Sequence, residues 1–226
     1  MSHYFTNDSS PMVTREITAT VFGREFVFTT ANGVFSGTRL DLGTSVLLRT
    51  VAPPDQGRIL DLGCGFGPIA VGIAAASPEV RVDAVDVNER ALALTRMNAE
   101  RARVADRVRT FSPDDAVYDE IWSNPPIRIG NKALHELLLT WLPRLRPGGA
   151  AYLVVSKNLG ADSLTTWLIE QGWPTEKLAS AKGFRVLKVR RDSDSPALTD
   201  PRAPKGCIGL GRPSRPDRVS RTEESR

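Results

Sequence analysis

Apolar and polar positions alternate along this chain in two rhythms. Near the amino end, residues 17–22 and 25–30 are rich in β-branched and aromatic side chains. They flank Gly23-Arg24, which predicts a β-hairpin turning at that dipeptide. After Gly33-Val34-Phe35-Ser36, the run Asp41-Leu42-Gly43-Thr44-Ser45-Val46-Leu47-Leu48 reads as a capped helix start. From Gly57 the rhythm changes. Residues 58–62 predict a short, nearly continuous apolar strand ending in glycines, 68–76 a helix, 80–86 a strand and 89–103 a helix. Strands near Val108 and over 118–123 follow, then a helix over 131–142. Pro147-Gly148-Gly149 is expected to turn the chain into a strand over 151–156, ahead of a helix over 162–171 and a closing strand over 184–189. Such alternation implies right-handed crossovers and a mostly parallel sheet with helices on both faces.

Three zones result. Residues 1–56 form a hairpin-and-helix extension, 57–191 an α/β domain and 192–226 a tail. The tail has five prolines, several Ser/Arg pairs and few large apolar residues. It cannot bury enough surface to offset its ordering entropy, so disorder is expected there. No internal repeat is visible.

A chain of 226 residues is long enough for one α/β domain with a substantial core. No apolar run approaches the ~20 residues needed to span a bilayer. The first residues lack the basic stretch and apolar core of a signal peptide. Cys64 and Cys207 are too few and too far apart for a disulfide framework, and no zinc spacing occurs. A reduced, cytoplasmic protein without metal is expected, with a monomer as the default. The net charge is +4. Residues 190–226 hold nine Lys/Arg and six Asp/Glu, so most of the positive excess lies in the tail, and basicity alone says little about a nucleic-acid partner.

The strongest local signal is Leu60-Asp61-Leu62-Gly63-Cys64-Gly65-Phe66-Gly67, between a strand and a helix. Ligands of open α/β sheets bind at the carboxyl ends of strands, and glycines there admit close backbone approach. The spacing departs from the G-x-G-x-x-G of dinucleotide enzymes, and no Gly-Lys-Ser/Thr of a P-loop follows. Asp86 ends the next strand about 20 residues on, where a carboxylate accepts hydrogen bonds from both hydroxyls of an adenosine ribose. Asp61 is placed to face the cationic amino end of a methionine moiety. A sulfonium ligand carries no phosphate, so the loop needs no lysine. The bland alternative is a tight turn with Asp86 as a helix cap.

Ser123-Asn124-Pro125-Pro126 closes the fourth strand. The lone pair of an exocyclic base amine is delocalised into the ring, which makes it a poor nucleophile. An Asn side-chain carbonyl and a neighbouring backbone carbonyl can accept both N–H hydrogens and direct the lone pair at a methyl group. Proline suits the next position, because its φ is fixed and it offers no competing N–H. The catalysis is positional and electrostatic. The target base must leave its stack to reach such a pocket.

Together these residues resemble the "methyltransferase small" family, and within it the small-subunit ribosomal RNA guanine-N2 methyltransferases. The resemblance runs from His3-Tyr4-Phe5 to about Arg190. It includes Gly33-Val34-Phe35-Ser36, Leu40-Asp41-Leu42-Gly43-Thr44, the glycine loop and Asn124-Pro125-Pro126-Ile127-Arg128-Ile129-Gly130. It implies the Rossmann-like class I methyltransferase fold, a seven-stranded, mostly parallel sheet with an antiparallel last strand, here carrying an N-terminal hairpin. It implies S-adenosylmethionine as cofactor and ribosomal RNA or the small ribosomal subunit as partner. By this analogy Asn124, Pro125 and Pro126 are catalytic. Asp61, Gly63, Cys64, Gly65, Gly67, Asp86, Asp41 and Thr44 line the cofactor, with Asp114 or Asp115 near its adenine. Phe35, Ile127 and Arg128 meet the target.

From the residues alone, Asp41 or Thr44 reads as a helix cap, Phe35 equally as core, and Cys64 as packing. His3 and His135 show no partner constellation, and the four tryptophans fit core positions. The chain departs from the family in having Asn131 before Lys132 where lysine usually follows Ile-x-Gly directly. By the same comparison, the RNA-binding first half of two-copy members is expected to be absent. Other acceptors for the same chemistry are adenine N6 and a protein glutamine amide. A non-catalytic RNA-binding or assembly factor is the reading from another class, against which the intact Asn124-Pro125-Pro126 argues.

Overall fold

The computed structural model describes residues 10–125 and 130–196, the side chain of Leu159 excepted. Nine strands and five α-helices follow one another among them. They are β1 (Thr14–Val21), β2 (Arg24–Ala31), α1 (Leu42–Thr50), β3 (Gln56–Leu62), α2 (Pro68–Ala76), β4 (Glu79–Val85) and α3 (Glu89–Arg101). Then come β5 (Val108–Arg109), β6 (Tyr118–Ser123), α4 (Asn131–Trp141), β7 (Leu145–Ser156), α5 (Ala161–Glu170), β8 (Thr175–Ala181) and β9 (Phe184–Arg190). No helix among the described residues is long and apolar enough to cross a membrane.

β3 to β9 form one sheet in the order β5-β4-β3-β6-β7-β9-β8. β9, last in the chain, is the antiparallel member, wedged between β7 and β8. The expected seven-stranded architecture is therefore present. The core has two halves. α1, α2 and α3 pack their apolar residues on one face with the hairpin, and α4 and α5 cover the other. Of the tryptophans, Trp122, Trp141 and Trp173 are buried, whereas Trp167 is half-exposed and stacks on His135 with 3.6 Å between ring centroids.

Three local expectations are corrected. The hairpin turns at Phe22-Gly23, one residue early, because Val21 pairs with Arg24. Both turn residues carry positive φ, 49° and 75°, the left-handed pair that matches the twist of the flanking strands. Pro147-Gly148-Gly149 is a bulge inside β7 rather than a turn before it. Tyr118 pairs with Leu145 and Glu120 with Ala150, so Asp119 alone faces residues 146–149. β8 had no sequence signal of its own; its TEKLASA is largely exposed, as an edge strand can be. Beyond β9, residues 192–196 form a turn in which the Asp192 N–H donates to Ser195 Oγ and Ser195 is buried.

The hairpin is no loose appendage. A Cβ on Gly72 of α2 would stand 2.3 Å from Val21 Cγ1, so the helix meets β1 at a distance only glycine allows. Asn98 of α3 ties the two parts together by hydrogen bonds. Its Oδ1 accepts from Thr29 N at 2.7 Å, and its Nδ2 donates to Thr29 O and Phe66 O, each at 2.8 Å. All these groups are buried, so losing the amide would strand several polar atoms without water. Asn98→Leu should lower unfolding free energy by about 2–4 kcal/mol, since each orphaned buried group costs about 1–3 kcal/mol. Urea titration measures this, and a midpoint equal to the wild type's would contradict it.

Candidate active site

The strand order reverses between β3 and β6, from which the chain runs outward to either side. The loops leaving their carboxyl ends bound a crevice, where open α/β sheets bind ligands. Leu62 of β3 pairs with Ser123 of β6, and the Ser123 hydroxyl donates to Leu62 O at 2.6 Å. Gly63 and Asn124 therefore emerge side by side, about one interstrand spacing of ~4.8 Å apart.

The glycine loop bends back over β4, with the N–H groups of Gly63 and Cys64 both donating to Val85 O. Gly63, Gly65 and Gly67 have φ of 79°, 56° and 88°, a region closed to most side chains. Their duties differ. A Cβ at Gly63 or Gly65 would meet nothing within 4 Å, so both line open space. A Cβ at Gly67 would lie 2.9 Å from Thr95 of α3, which makes Gly67 a packing glycine. The Cys64 side chain points into the core, where the Thr95 hydroxyl donates to its sulfur at 3.4 Å. Burial raises its thiol pKa well above the usual value, so the packing reading holds and reactivity is disfavoured.

Asp61 lies at 0% exposure beneath the loop. Its Oδ2 accepts from Ala70 N at 3.0 Å, in the first turn of α2, and so caps a helix whose own N-cap is glycine. Its Oδ1 is buried and has no partner among the described residues. Burial drives the carboxyl up to about pH 7, against the lowering effect of the Ala70 amide and with a further push from the Asp86 charge. A cationic group arriving at Oδ1 would relieve both the missing hydrogen bond and the desolvated charge.

Asp86 follows β4. One oxygen accepts from Gly65 N and the other from Asn88 N, each at 2.9 Å, and with the Val87 amide also on the carboxylate some acceptor capacity is left for a hydroxyl donor. Burial raises its pKa, the Asn88 and Gly65 amides opposing. Asp86 does not cap the next helix. Asn88 does, with its Oδ1 accepting from Arg90 N, while its Nδ2 donates to Gly33 O at 2.7 Å. That bond ties the start of the 33–36 segment to the residue two positions after Asp86, and Phe35 is 45% exposed rather than in the core. These residues fit an adenosine ligand with a cationic tail: a pair of acceptors for ribose, glycines that leave room, and an unpartnered carboxylate oxygen.

Asn124 completes the crevice. Its Nδ2 donates to Asp41 Oδ2 at 2.7 Å and to Thr44 Oγ1 at 3.0 Å. Asp41 is the N-cap of α1, accepting from Thr44 N at 3.0 Å. The capping expectation holds, and the same side chains reach the tetrapeptide. Close packing brings them there, since a Cβ on Gly43 would press on the Phe184 ring at 2.9 Å and on Asp41 Oδ2 at 3.0 Å. Pro125 is buried behind Asn124.

Asp114 and Asp115 are not brought in. They are exposed in a turn whose Pro113 carbonyl accepts from Arg144, just before β7 begins at the amino end of the sheet. The placement of Asp114 or Asp115 near the adenine therefore rests on the resemblance alone. Pro126, Ile127 and Arg128 lie outside the described residues. Sequence reasoning missed Asn88 and Thr95, and gave Ser123 no role of its own. Only Ser123 had a signal, as the small residue opening the Asn-Pro-Pro motif. Among the described residues no group of three His, Cys, Asp or Glu could hold a metal ion.

A family model described as "Methyltransferase small domain" matches residues 25–188. The chain is 32% identical over 175 residues to the uncharacterized protein YbxB of Bacillus subtilis, covering 74% of this chain and 87% of that protein. It is 35% identical over 166 residues to ribosomal RNA small subunit methyltransferase C of Pasteurella multocida, covering 70% of this chain but 49% of the relative. The chain thus spans about half the length of the methyltransferase C relatives it matches. A solved T. thermophilus 16S rRNA N2 methyltransferase, in complex with AdoMet and guanosine, aligns with TM-score 0.69 at 23% identity, over 80% of this chain and 51% of that one. A Pyrococcus furiosus methyltransferase aligns with TM-score 0.55 at 20% identity, over 67% of this chain and 82% of its own. These two likenesses are of fold. With the family model covering both the glycine loop and the Asn-Pro-Pro strand end, the chain belongs to the methyltransferase small domain family.

Proposed function

We propose that this protein transfers a methyl group from S-adenosylmethionine to an exocyclic amino group of a nucleobase, guanine N2 of small-subunit ribosomal RNA being the target. The observation that carries the reading is the presentation of Asn124. Its NH₂ is fully engaged by Asp41 and Thr44, while among the described residues nothing occupies its Oδ1 at the mouth of the crevice. The names of the ribosomal RNA methyltransferase C relatives support the choice of acceptor. The chain's positive charge, concentrated toward its carboxyl end, suits a polyanionic partner.

When bound, S-adenosylmethionine supplies an electrophilic methyl group on a sulfonium. Asp86 accepts from the ribose hydroxyls, the bare α-carbons of Gly63 and Gly65 admit the nucleoside, and Asp61 pairs with the ammonium of the methionine part. Asn124 Oδ1 and the neighbouring backbone carbonyl accept the two N–H hydrogens of the flipped-out base. That draws the nitrogen toward tetrahedral geometry and points its lone pair along the line of attack. The alkylated nitrogen is acidic and sheds its surplus proton to water, so no strong base is required. Phe35, exposed rather than in the core, is the aromatic that would meet the extruded base. The three zones then divide the work: the amino-terminal extension shapes the acceptor side, the α/β domain holds the cofactor, and the tail adds electrostatic attraction to RNA in the cytoplasm.

Asn124→Ala should lower turnover by roughly 10²–10³ while leaving cofactor affinity within a few-fold, the usual cost of losing a transition-state contact. Tritiated S-adenosylmethionine offered to small ribosomal subunits, DNA and release factors tests the acceptor. Label confined to protein would eliminate the nucleic-acid reading, and unchanged turnover would refute the mechanism.

Cofactor binding should also depend on pH. With its pKa near 7, Asp61 must shed a proton to pair with the ammonium at lower pH. Affinity should therefore weaken by up to about tenfold per unit as pH falls below 7, and level off above it. Calorimetry at pH 6 and 8 reads this directly. Asp61→Asn should bind more weakly and show a flat profile; a pH-independent Kd in the wild type would contradict the pairing.

A further inference from the structure

We infer that Asp41 and Thr44 are positioning residues that fix which face of the Asn124 amide meets the target amine. The inference rests on the transfer reading above and adds a part to it that capping or cofactor contact does not contain. An amide can be rotated by half a turn with little change of shape, exchanging its oxygen and nitrogen. For transfer to an amine only one orientation works, because the nitrogen side would offer hydrogens to a group that is itself a donor. A side chain on the last turn of a strand, half-exposed, has no intrinsic preference between the two.

The structure supplies that preference. Asp41 Oδ2 lies 2.7 Å from Asn124 Nδ2 and Thr44 Oγ1 lies 3.0 Å from it. A carboxylate has acceptors only, so turning the amide over would set two oxygens against each other at hydrogen-bond distance. Both hydrogens of the NH₂ find acceptors on α1, and the carbonyl is left to face the crevice. Hydrogen bonds to an ionised acceptor are the stronger kind, and donating to one polarises the amide so that its oxygen becomes a better acceptor. The arrangement also sets a negative charge behind the group that touches a nitrogen acquiring positive charge.

The supports of this arrangement are themselves fixed. Thr44 is buried, and its backbone N–H donates to the same Asp41 oxygen that receives the Asn124 amide. Ser45 N donates to the Asp41 carbonyl, so the N-cap cannot swing without opening the first turn of α1. Gly43 lets the Phe184 ring close over that turn, where any Cβ would collide with the ring and the carboxylate together. Residues about 80 positions apart in the chain are thus joined at one amide.

Substitutions can separate this role from helix capping. Ser at position 41 still caps α1 but is too short to reach Asn124, and Val at position 44 keeps the shape of threonine without its oxygen. Asp41→Ser and Thr44→Val should each lower kcat by about tenfold, and the pair should approach the loss of Asn124→Ala. KM for the acceptor and the thermal midpoint should stay close to the wild type's, so that the loss falls on kcat. Asp41→Asn should restore most of the turnover, since one amide oxygen can accept from both Thr44 N and Asn124 Nδ2. In the Asn124→Ala background, Asp41→Ser should cost nothing further, because the amide it orients is gone. Exchange of the Asn124 side-chain amide hydrogens, followed by NMR in ¹⁵N-labelled protein, should be slow in the wild type and fast in the double variant. Wild-type kcat in the double variant, with Asn124→Ala impaired, would overturn the inference and leave the transfer reading intact. Normal turnover in Asn124→Ala would sink the transfer reading and the role of Asp41 and Thr44 with it, whatever the NMR measurement gives.

Discussion

The parallel pairing of β3 with β6 is the constraint on which the molecule depends. Strands with successive side chains on opposite faces allow no half measures, because a slip of one residue would exchange every side chain between the two halves of the core. The pairing of Leu62 with Ser123, sealed by the serine hydroxyl, sets two loops from distant parts of the chain at the same height. One loop is built from glycines, the other from an asparagine and prolines. Neither makes a site alone.

Around that seam the structure places polar groups where water cannot reach and resolves each differently. Asp83 is fully buried and neutralised, with Arg58, Arg109 and the Tyr118 hydroxyl all on its oxygens at 2.8–3.0 Å. Asn98 is satisfied by backbone groups from the hairpin and the glycine loop. Asp61 is left half satisfied, one oxygen bonded and the other bare. Asp83 and Asn98 stabilise the fold. Asp61, with one buried oxygen unpaired among the described residues, does not complete its bonding within the fold.

How much of this could be read from the sequence depended on how local the cause was. Helix α2, its leading Pro68 and the glycines before it follow from neighbouring residues, and they are found where the pattern put them. β8 was invisible because it has no buried position along its length, so no apolar alternation marks it. The role of Asn98 was hidden because a mid-helix asparagine looks like an ordinary surface residue until its partners, in β2 and in the glycine loop, are known. Asp114 and Asp115 were named from the resemblance, and no local pattern shows which way the loop that carries them turns. Asp41 was read correctly as a cap, yet its second partner lies on a different strand loop and leaves no mark in the local pattern.

The fit of Val21 against Gly72 has a consequence for the limits of this fold. A shortened chain beginning at residue 57 would keep every strand of the large sheet, yet it would bare the apolar backs of α2 and α3 that β1 and β2 now cover. Such a fragment would trade a shielded surface for a sticky one and be inclined to clump. The ribbon at the start of the chain is thus a wall of the building, not a porch added to it.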